Sequence, residues 1–147
     1  MNNSIYVIIL RKRKDAAEVT LPIVERKAQE YQTQEGKTPF KDWLIGLQDA
    51  RAQAKVTKAV TQMEAGNFGD HKSITGGAGL KERRIDYGPG YRIYYITEGD
   101  ELIILFAGSD KSNQQKMINV AKHYLEDYKL RKLKELAPSA NAGDAIS

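Results

Sequence analysis

The fold is decided by the stretch KERRIDYGPGYRIYYITEGDELIILFA, residues 81–107. It holds most of three runs whose composition is typical of β-strands, residues 80–87, 91–97 and 101–107. Gly-Pro-Gly and Glu-Gly-Asp separate these runs, and connections this short predict two antiparallel hairpins. Because the third run is almost continuously apolar, we expect it inside the sheet with both faces covered. The stretch therefore predicts an antiparallel β-meander.

Two apolar stripes upstream of this stretch predict helices. Thr38 followed by Pro39 is typical of an N-cap with proline in the first helical turn. Apolar residues then recur at the spacing of one helical face, at positions 40, 43, 44 and 47 and at 56, 59, 60 and 63. The polar residues between the two sets indicate either two antiparallel helices or one helix with a break near residues 48–49. Gly66 and Gly69 then suit a helix end.

The remaining segments complete the predicted architecture. Residues 22–33 alternate roughly between apolar and polar and predict a solvent-facing strand, whereas residues 71–79 predict a flexible glycine-rich loop. Ser112 and Gln115 have capping-box spacing and open a last helix, which ends by Pro138. We expect an α+β fold in which an antiparallel β-meander sheet packs against an N-terminal helix pair and a C-terminal helix.

The length of 147 residues fits one domain, which we place at residues 21–136. Residues 1–20 are interpreted as an N-terminal extension, either disordered, an extra edge strand, or the product of a misassigned start codon. The apolar run SIYVIIL within them is too short for a membrane span, and its positive charges follow it, so we expect no export and a cytoplasmic location. Residues 137–147 are small and polar and predict a disordered tail.

Composition excludes several kinds of site. The chain has no cysteine, which rules out disulfides, iron–sulfur clusters and thiolate zinc sites. Its two histidines, His71 and His123, lie far apart and lack partners at metal-motif spacing, so we expect no metal and no cofactor. GGAG lacks the flanking strand and Gly-Lys-Ser/Thr of a phosphate-binding loop. The net charge of +4 is compatible with a polyanionic partner.

The first hairpin is predicted to carry a cationic face. Side chains alternate across a strand, so Arg84 is expected on one face of its strand, and Lys81 and Arg83 on the other. If Arg84 and Arg92 project from the same face, that face becomes a cationic concavity edged by tyrosines. Lys111, just after the apolar strand, lies where it can close the patch. Cations suit phosphate and tyrosine rings stack on bases, so the pattern favours a nucleic-acid partner.

Several stretches, taken in this order, carry a family resemblance: PFKDWLIGL (39–47), GNFGD (66–70), RIDYGPGYRIYY (84–95), LIILFAGSDKSNQQ (102–115) and the trailing helix. The chain resembles the RelE/ParE superfamily of toxins from bacterial type II toxin–antitoxin modules, most closely the HigB-like addiction module killer proteins. The resemblance implies a compact toxin that cleaves messenger RNA, usually in the ribosomal A site, without metal. It also implies a cognate antitoxin that neutralises the toxin. Operator DNA would be bound only by the toxin–antitoxin complex.

The resemblance also implies catalytic residues. The family's arginine in the Gly-Tyr-Arg strand corresponds to Arg92, its basic residue on the preceding strand to Arg84, and its basic residue after the central strand to Lys111. These cations would hold the scissile phosphate while the 2′-hydroxyl of the RNA attacks it. The residues expected to bind RNA around them are Lys81, Arg83, Tyr87, Tyr91, Tyr94 and Lys116.

This sequence departs from the family pattern at two points. Many RelE-like enzymes have a tyrosine in the last helix where this chain has Met117, so a hairpin tyrosine would have to stack instead. Many HigB-like enzymes use a histidine, and here His71 alone is near enough in sequence to be considered. These departures concern the individual roles more than the family.

Three functions therefore stay open. The first is a ribosome-dependent ribonuclease toxin. The second is a ParE-like toxin that binds DNA gyrase and cleaves nothing, since one fold serves both. The third is a toxin-derived module that binds nucleic acid or antitoxin without catalysis. For the antitoxin we expect an acidic segment that masks the cationic face, or strand addition along residues 23–31.

Overall fold

The computed structural model describes residues 25–137. The predictions for residues 1–20, and for the tail 137–147 except its first residue, lie outside this part. The described part is α+β, as expected, with one five-stranded sheet and three helices. The strands are β1 (Lys27–Glu30), β2 (His71–Ser73), β3 (Lys81–Ile85), β4 (Tyr91–Glu98) and β5 (Leu102–Asp110). The helices are α1 (Pro39–Gly46), α2 (Ala50–Glu64) and α3 (Gln114–Leu136). None of these helices is both long and apolar enough to cross a membrane.

The predicted meander is confirmed, but the sheet as a whole is mixed. Its order is β1-β5-β4-β3-β2, and β3, β4 and β5 pair antiparallel in sequence order. The first hairpin turns at Gly88 and Gly90, whose φ angles of 55° and 84° suit glycine. β1 pairs parallel with β5, so the expectation of a wholly antiparallel sheet is wrong at this strand. A parallel partner reached across most of the chain leaves no local sequence signal.

β2 is a second difference from the sequence-based expectation. Residues 71–79 were expected to form a loop, yet His71–Ser73 pair with β3 as the outer antiparallel strand. All three residues of β2 are exposed, so the strand lacks the apolar alternation by which strands are recognised. β2 is held as a strand by its backbone hydrogen bonds to β3.

The helix pair is separated where the sequence indicated a break. Thr38 precedes α1 with Pro39 in the first turn, and Asp49 caps α2 by accepting from the backbone N–H of Arg51 at 2.9 Å. The single-helix alternative is therefore excluded. Gly66 follows α2 with φ 92°, as predicted for a helix end.

The start of the last helix differs from the prediction. A 3₁₀ turn, Lys111–Asn113, precedes α3, and the capping box is formed by Asp110 and Asn113. The predicted Ser112–Gln115 capping box is therefore wrong. Asp110, the last residue of β5, already accepts from the backbone N–H groups of Ser112 and Asn113.

Apolar cores lie on both faces of the sheet. The α3 face buries Tyr94, Ile104 and Phe106 with Ala121 and Leu125 of the helix. The opposite face buries its own set beneath α1 and α2: Phe40, Val56, Met63, Ile93, Tyr95, Ile103 and Leu105. This confirms that β5 is covered on both sides. A fully buried aliphatic or aromatic side chain contributes about 1.5–3 kcal/mol, so the two cores hold the sheet in place.

Candidate functional site

Arg84 of β3 and Arg92 of β4 are direct cross-strand partners. Directly opposite side chains project from the same face, so the structure meets the condition that both arginines lie on one face. That face also carries Tyr94 and packs against α3. Like charges directly opposite each other are destabilising, so this pair requires compensating negative charge.

Arg92 is held by a buried carboxylate. Its Nη1 donates to Oε2 of Glu82, whose side chain is 0% exposed, while that of Arg92 is 13% exposed. Gln114, at the start of α3, donates to the other carboxylate oxygen of Glu82 at 3.4 Å. Glu82 was not predicted as a site residue, although strand alternation puts it on the face of Arg84. Its role depends on contacts with β4 and α3, which the local pattern does not reveal.

Arg84 is held by an exposed carboxylate instead. Its Nη2 and Nε donate to Oδ1 of Asp70 at 2.8 and 3.2 Å. The side chains of Arg84 and Asp70 are 37% and 64% exposed. The hydrogen bond from Arg84 lowers the pKa of the Asp70 carboxyl, and the same bond raises the pKa of the Arg84 guanidinium. A ligand anion can therefore displace the exposed Asp70 carboxylate from Arg84 far more easily than it can displace the buried Glu82 carboxylate from Arg92.

Lys111 lies at the corner of the same end of the sheet. Its backbone N–H donates to the carbonyl of Gly90 in the hairpin turn at 2.9 Å. It comes two residues after Ser109, the β5 partner of Arg92. Its side chain is exposed, and no carboxylate among the described residues forms a salt bridge with it.

The hairpin tyrosines do not line this face with exposed rings. Tyr94 is fully buried, and its hydroxyl pairs with Ser109 at 2.8 Å. Tyr91 lies on the opposite face, nearly buried, against the edge of Trp43. Tyr87 packs with that same opposite core and donates to Asp49 at 3.1 Å. The expectation that one of the three stacks on a base beside the arginines is corrected by this placement.

Two of the other expected RNA-binding residues lie on the face opposite the arginine pair. Lys81 and Arg83 project from the opposite face, as alternation predicted. Arg83 lies against Gly69, donates to Gln62 at 3.0 Å, and has its pKa lowered by burial. Lys116 is exposed near the start of α3.

The histidines and Met117 add no catalytic group to the pair. His71 is the cross-strand partner of Arg83, so it faces α2, where its ring lies near Phe68. His123 is exposed on α3, and Met117 packs against the α3-side core. Within residues 25–137 no cluster of three or more histidine, aspartate or glutamate side chains is placed to hold a metal ion.

The fold and this site define a class: an α+β protein with a mixed five-stranded sheet and a cross-strand arginine pair neutralised by one buried and one exposed carboxylate. No protein-family model matches the chain. An uncharacterized protein of Haemophilus influenzae is 45% identical over 83 residues, which cover 56% of this chain and 82% of that protein. The chain belongs to the family of this Haemophilus protein.

Proposed function

We propose that the chain is a toxin of the RelE/ParE superfamily, HigB-like, that cleaves messenger RNA on translating ribosomes without a metal ion. One observation carries the proposal: Arg84 and Arg92 lie side by side, and Lys111 is anchored to the adjoining turn. Three cations at one end of a sheet match the needs of a phosphate that gains negative charge. The RelE-like order of helix pair, hairpin, apolar strand and last helix supports the same family.

The chemistry requires little beyond positioned cations, because RNA carries its own nucleophile. The 2′-oxygen forms a bond to the adjacent phosphorus, the bond from phosphorus to the 5′-oxygen breaks, one proton leaves the 2′-hydroxyl, and one is delivered to the 5′-oxygen. Arg84 and Arg92 stabilise the extra charge on phosphorus, where a preorganised donor contributes about 2.7–4 kcal/mol. Lys111 is the residue proposed to hold the phosphate or protonate the leaving oxygen.

The two arginines take different parts in this proposal. Glu82 and Gln114 fix the Arg92 side chain, so Arg92 is a preoriented donor that keeps its carboxylate. Arg84 exchanges Asp70 for the phosphate, because that ion pair is exposed. As the RNA binds, Arg84 therefore pairs with the phosphate instead of Asp70, and Lys111 pairs with it without giving up a salt bridge to any described residue.

A ParE-like inhibitor of DNA gyrase is the second candidate, and one observation favours it. The stacking tyrosines expected of a ribonuclease are buried or lie on the other face, and Arg92 already has a counter-ion. Gyrase inhibition needs neither an exposed stacking tyrosine nor a free arginine at this site. A toxin-derived module without catalysis is the third candidate, and its overexpression would leave growth unaffected.

The proposed partners are a cognate antitoxin, messenger RNA and the ribosome, with operator DNA bound only by the toxin–antitoxin complex. The short, largely exposed β1 is an outer strand of the sheet, and this supports strand addition by the antitoxin there. An acidic antitoxin segment over Arg84 and Lys111 would block RNA from the same cations.

The experiment is genome-wide mapping of RNA 5′ ends after brief induction in bacteria, for the wild type and an Arg84→Gln/Lys111→Gln variant. These two side chains are chosen because neither has a buried partner in the described part of the chain, so we expect their replacement to leave the fold intact. We expect new ends within translated codons for the wild type, reduced at least a hundredfold in the variant.

A Lys41→Gln/Lys58→Gln variant is the matched control, since it removes the same charge from exposed positions of α1 and α2. It should cut messages like the wild type. Growth arrest with intact messages in all three strains would overturn the ribonuclease and favour gyrase, which a supercoiling assay then tests.

A further inference from the structure

A polar cleft of about 260 Å³ adjoins the arginine pair, between the outer strand β2 and the first turns of α3. The lining residues whose side chains matter here are Lys72, Thr75, Glu82, Gln115 and Lys122. Glu82 links the cleft to the proposed catalytic face, because its carboxylate also accepts from Arg92. The cleft and the arginine pair are therefore neighbouring parts of one surface.

The lining chemistry matches a nucleotide rather than an apolar ligand. Thr75 offers a hydroxyl, and the Gln115 amide has two donors and an acceptor, groups that can pair with the edge of a base. Among residues 25–137 the Gln115 amide donates only to exposed Asn119, at 3.3 Å, so a ligand can replace that contact. Lys72 and Lys122 supply cations for phosphate.

The spacing along β3 also fits. Glu82 and Arg84 are two residues apart on one face, a separation of about 6.8 Å. This is comparable to the length of one nucleotide unit. A strand of RNA with a phosphate at Arg84 therefore reaches the cleft with the adjoining base.

We propose that this cleft is a subsite for one unstacked base of single-stranded RNA, adjacent to the phosphate held by the arginine pair. Thr75 and Gln115 contact the base edge, and Lys72 and Lys122 contact the neighbouring backbone. RNA is generally read in this way, through single-stranded bases that are splayed out and hydrogen-bonded on their edges. The proposal rests on the proposed function in assuming that RNA is the ligand of the arginine pair.

The test measures, by fluorescence anisotropy, the binding of four 2′-O-methyl pentaribonucleotides that differ only in their base: A, C, G or U. The methyl group blocks the nucleophile, so binding is measured without cleavage. We expect the wild type to distinguish the four bases. A Thr75→Ala/Gln115→Ala variant should lower the ratio between the best and worst base by about fivefold or more, the discrimination that good edge contacts supply.

The matched control is Gln48→Ala/Thr57→Ala, the same two replacements at exposed positions on the α1–α2 side. It should keep the wild-type ratio. A Lys72→Ala/Lys122→Ala variant should instead weaken all four ligands about equally and lower the salt dependence of binding. Equal wild-type affinity for the four bases, or an unchanged ratio in the Thr75/Gln115 variant, would overturn the subsite.

The two proposals fail separately in this design. If the wild type distinguishes the bases, the Thr75→Ala/Gln115→Ala variant does not, and messages stay intact in cells, the subsite is supported and the ribonuclease proposal is overturned. Message cleavage with an unchanged cut-site pattern and base ratio in the cleft variant keeps the ribonuclease and overturns the subsite. Absence of binding to all four ligands, together with intact messages, overturns both.

Discussion

Arg92 and Arg84 are neighbours on one face, but their counter-ions differ in burial. Glu82 is fully buried with Arg92, whereas Asp70 is mostly exposed beside Arg84. A buried ion pair is costly to break because it leaves a desolvated charge, while an exposed pair contributes little. One arginine therefore belongs to the core as much as to the site, and the other belongs to the surface.

Replacing Arg92 tests this difference. Arg92→Ala leaves the Glu82 carboxylate buried without its main partner, and we expect a loss of about 3–5 kcal/mol in the free energy of unfolding, measured in urea. The double variant Glu82→Leu/Arg92→Met should recover most of this loss. Arg84→Ala is the control and should cost less than about 1 kcal/mol. Similar losses for Arg84→Ala and Arg92→Ala would contradict the assignment.

Asp70 should compete with RNA for Arg84. Asp70→Asn removes the exposed counter-ion, and we expect the affinity for a 2′-O-methyl pentaribonucleotide to rise about two- to fivefold, the equivalent of one exposed ion pair. Asp86→Asn is the matched control, since it removes the same charge from the residue just after β3, which forms no salt bridge with Arg84 in the described structure. An equal gain in both variants would show a general charge effect instead.

At the scale of elements, α3 is attached to the segment after β1 by a polar cluster. The Tyr31 hydroxyl donates to Asp127 at 2.5 Å, and Arg131 donates to the same carboxylate oxygen at 3.0 Å. The hydrogen bond from Tyr31 lowers the pKa of Asp127, and burial is the main cause that raises the pKa of Tyr31 to about 12. This cluster joins two segments that lie 96 residues apart in sequence.

A Tyr31→Phe variant tests whether this attachment depends on pH. The lowered folded-state pKa of Asp127 means that its contribution is present above the ordinary pKa of 3.8 and is lost as pH falls through the folded value. We expect Tyr31→Phe to cost about 1.5–3 kcal/mol at pH 7, the range for a hydrogen bond to a charged group. Urea unfolding between pH 7 and pH 2 should show this difference shrinking below pH 3.8. A pH-independent difference would assign the loss to packing.

Elements with their own periodicity were predicted well, and elements created by a neighbour were not. The apolar stripe at 56, 59, 60 and 63 and the turn at 88–90 are local signals, and both correspond to observed structure. β2 is exposed throughout and exists because β3 offers it an edge. Gly108 in β5 is a similar case, since a side chain there would overlap the Trp43 ring, a contact between distant segments.

At the scale of the whole molecule, the net charge of +4 is less informative than its distribution. Binding of single-stranded nucleic acid releases counter-ions, so the slope of log affinity against log salt is about −0.7 for each phosphate contacted. Because Arg84 and Lys111 are proposed to hold one and the same phosphate, the Arg84→Gln/Lys111→Gln variant should reduce the magnitude of that slope by about 0.7. The Lys41→Gln/Lys58→Gln control should keep it, and a control that changes the slope as much would indicate diffuse attraction.

The sequence by itself determined the meander, the two apolar helical stripes before it and the last helix. These follow from periodicity, turn residues and strand alternation, all of which act between residues close in the chain. Tertiary structure alone decided the parallel pairing of β1, the burial of Glu82 beside Arg92, and the side of the sheet on which the tyrosines lie covered. Burial and pairing depend on which distant segment packs against a residue, and hydrogen bonds and desolvation act across space, so the partners of a charge are known only once the chain has folded.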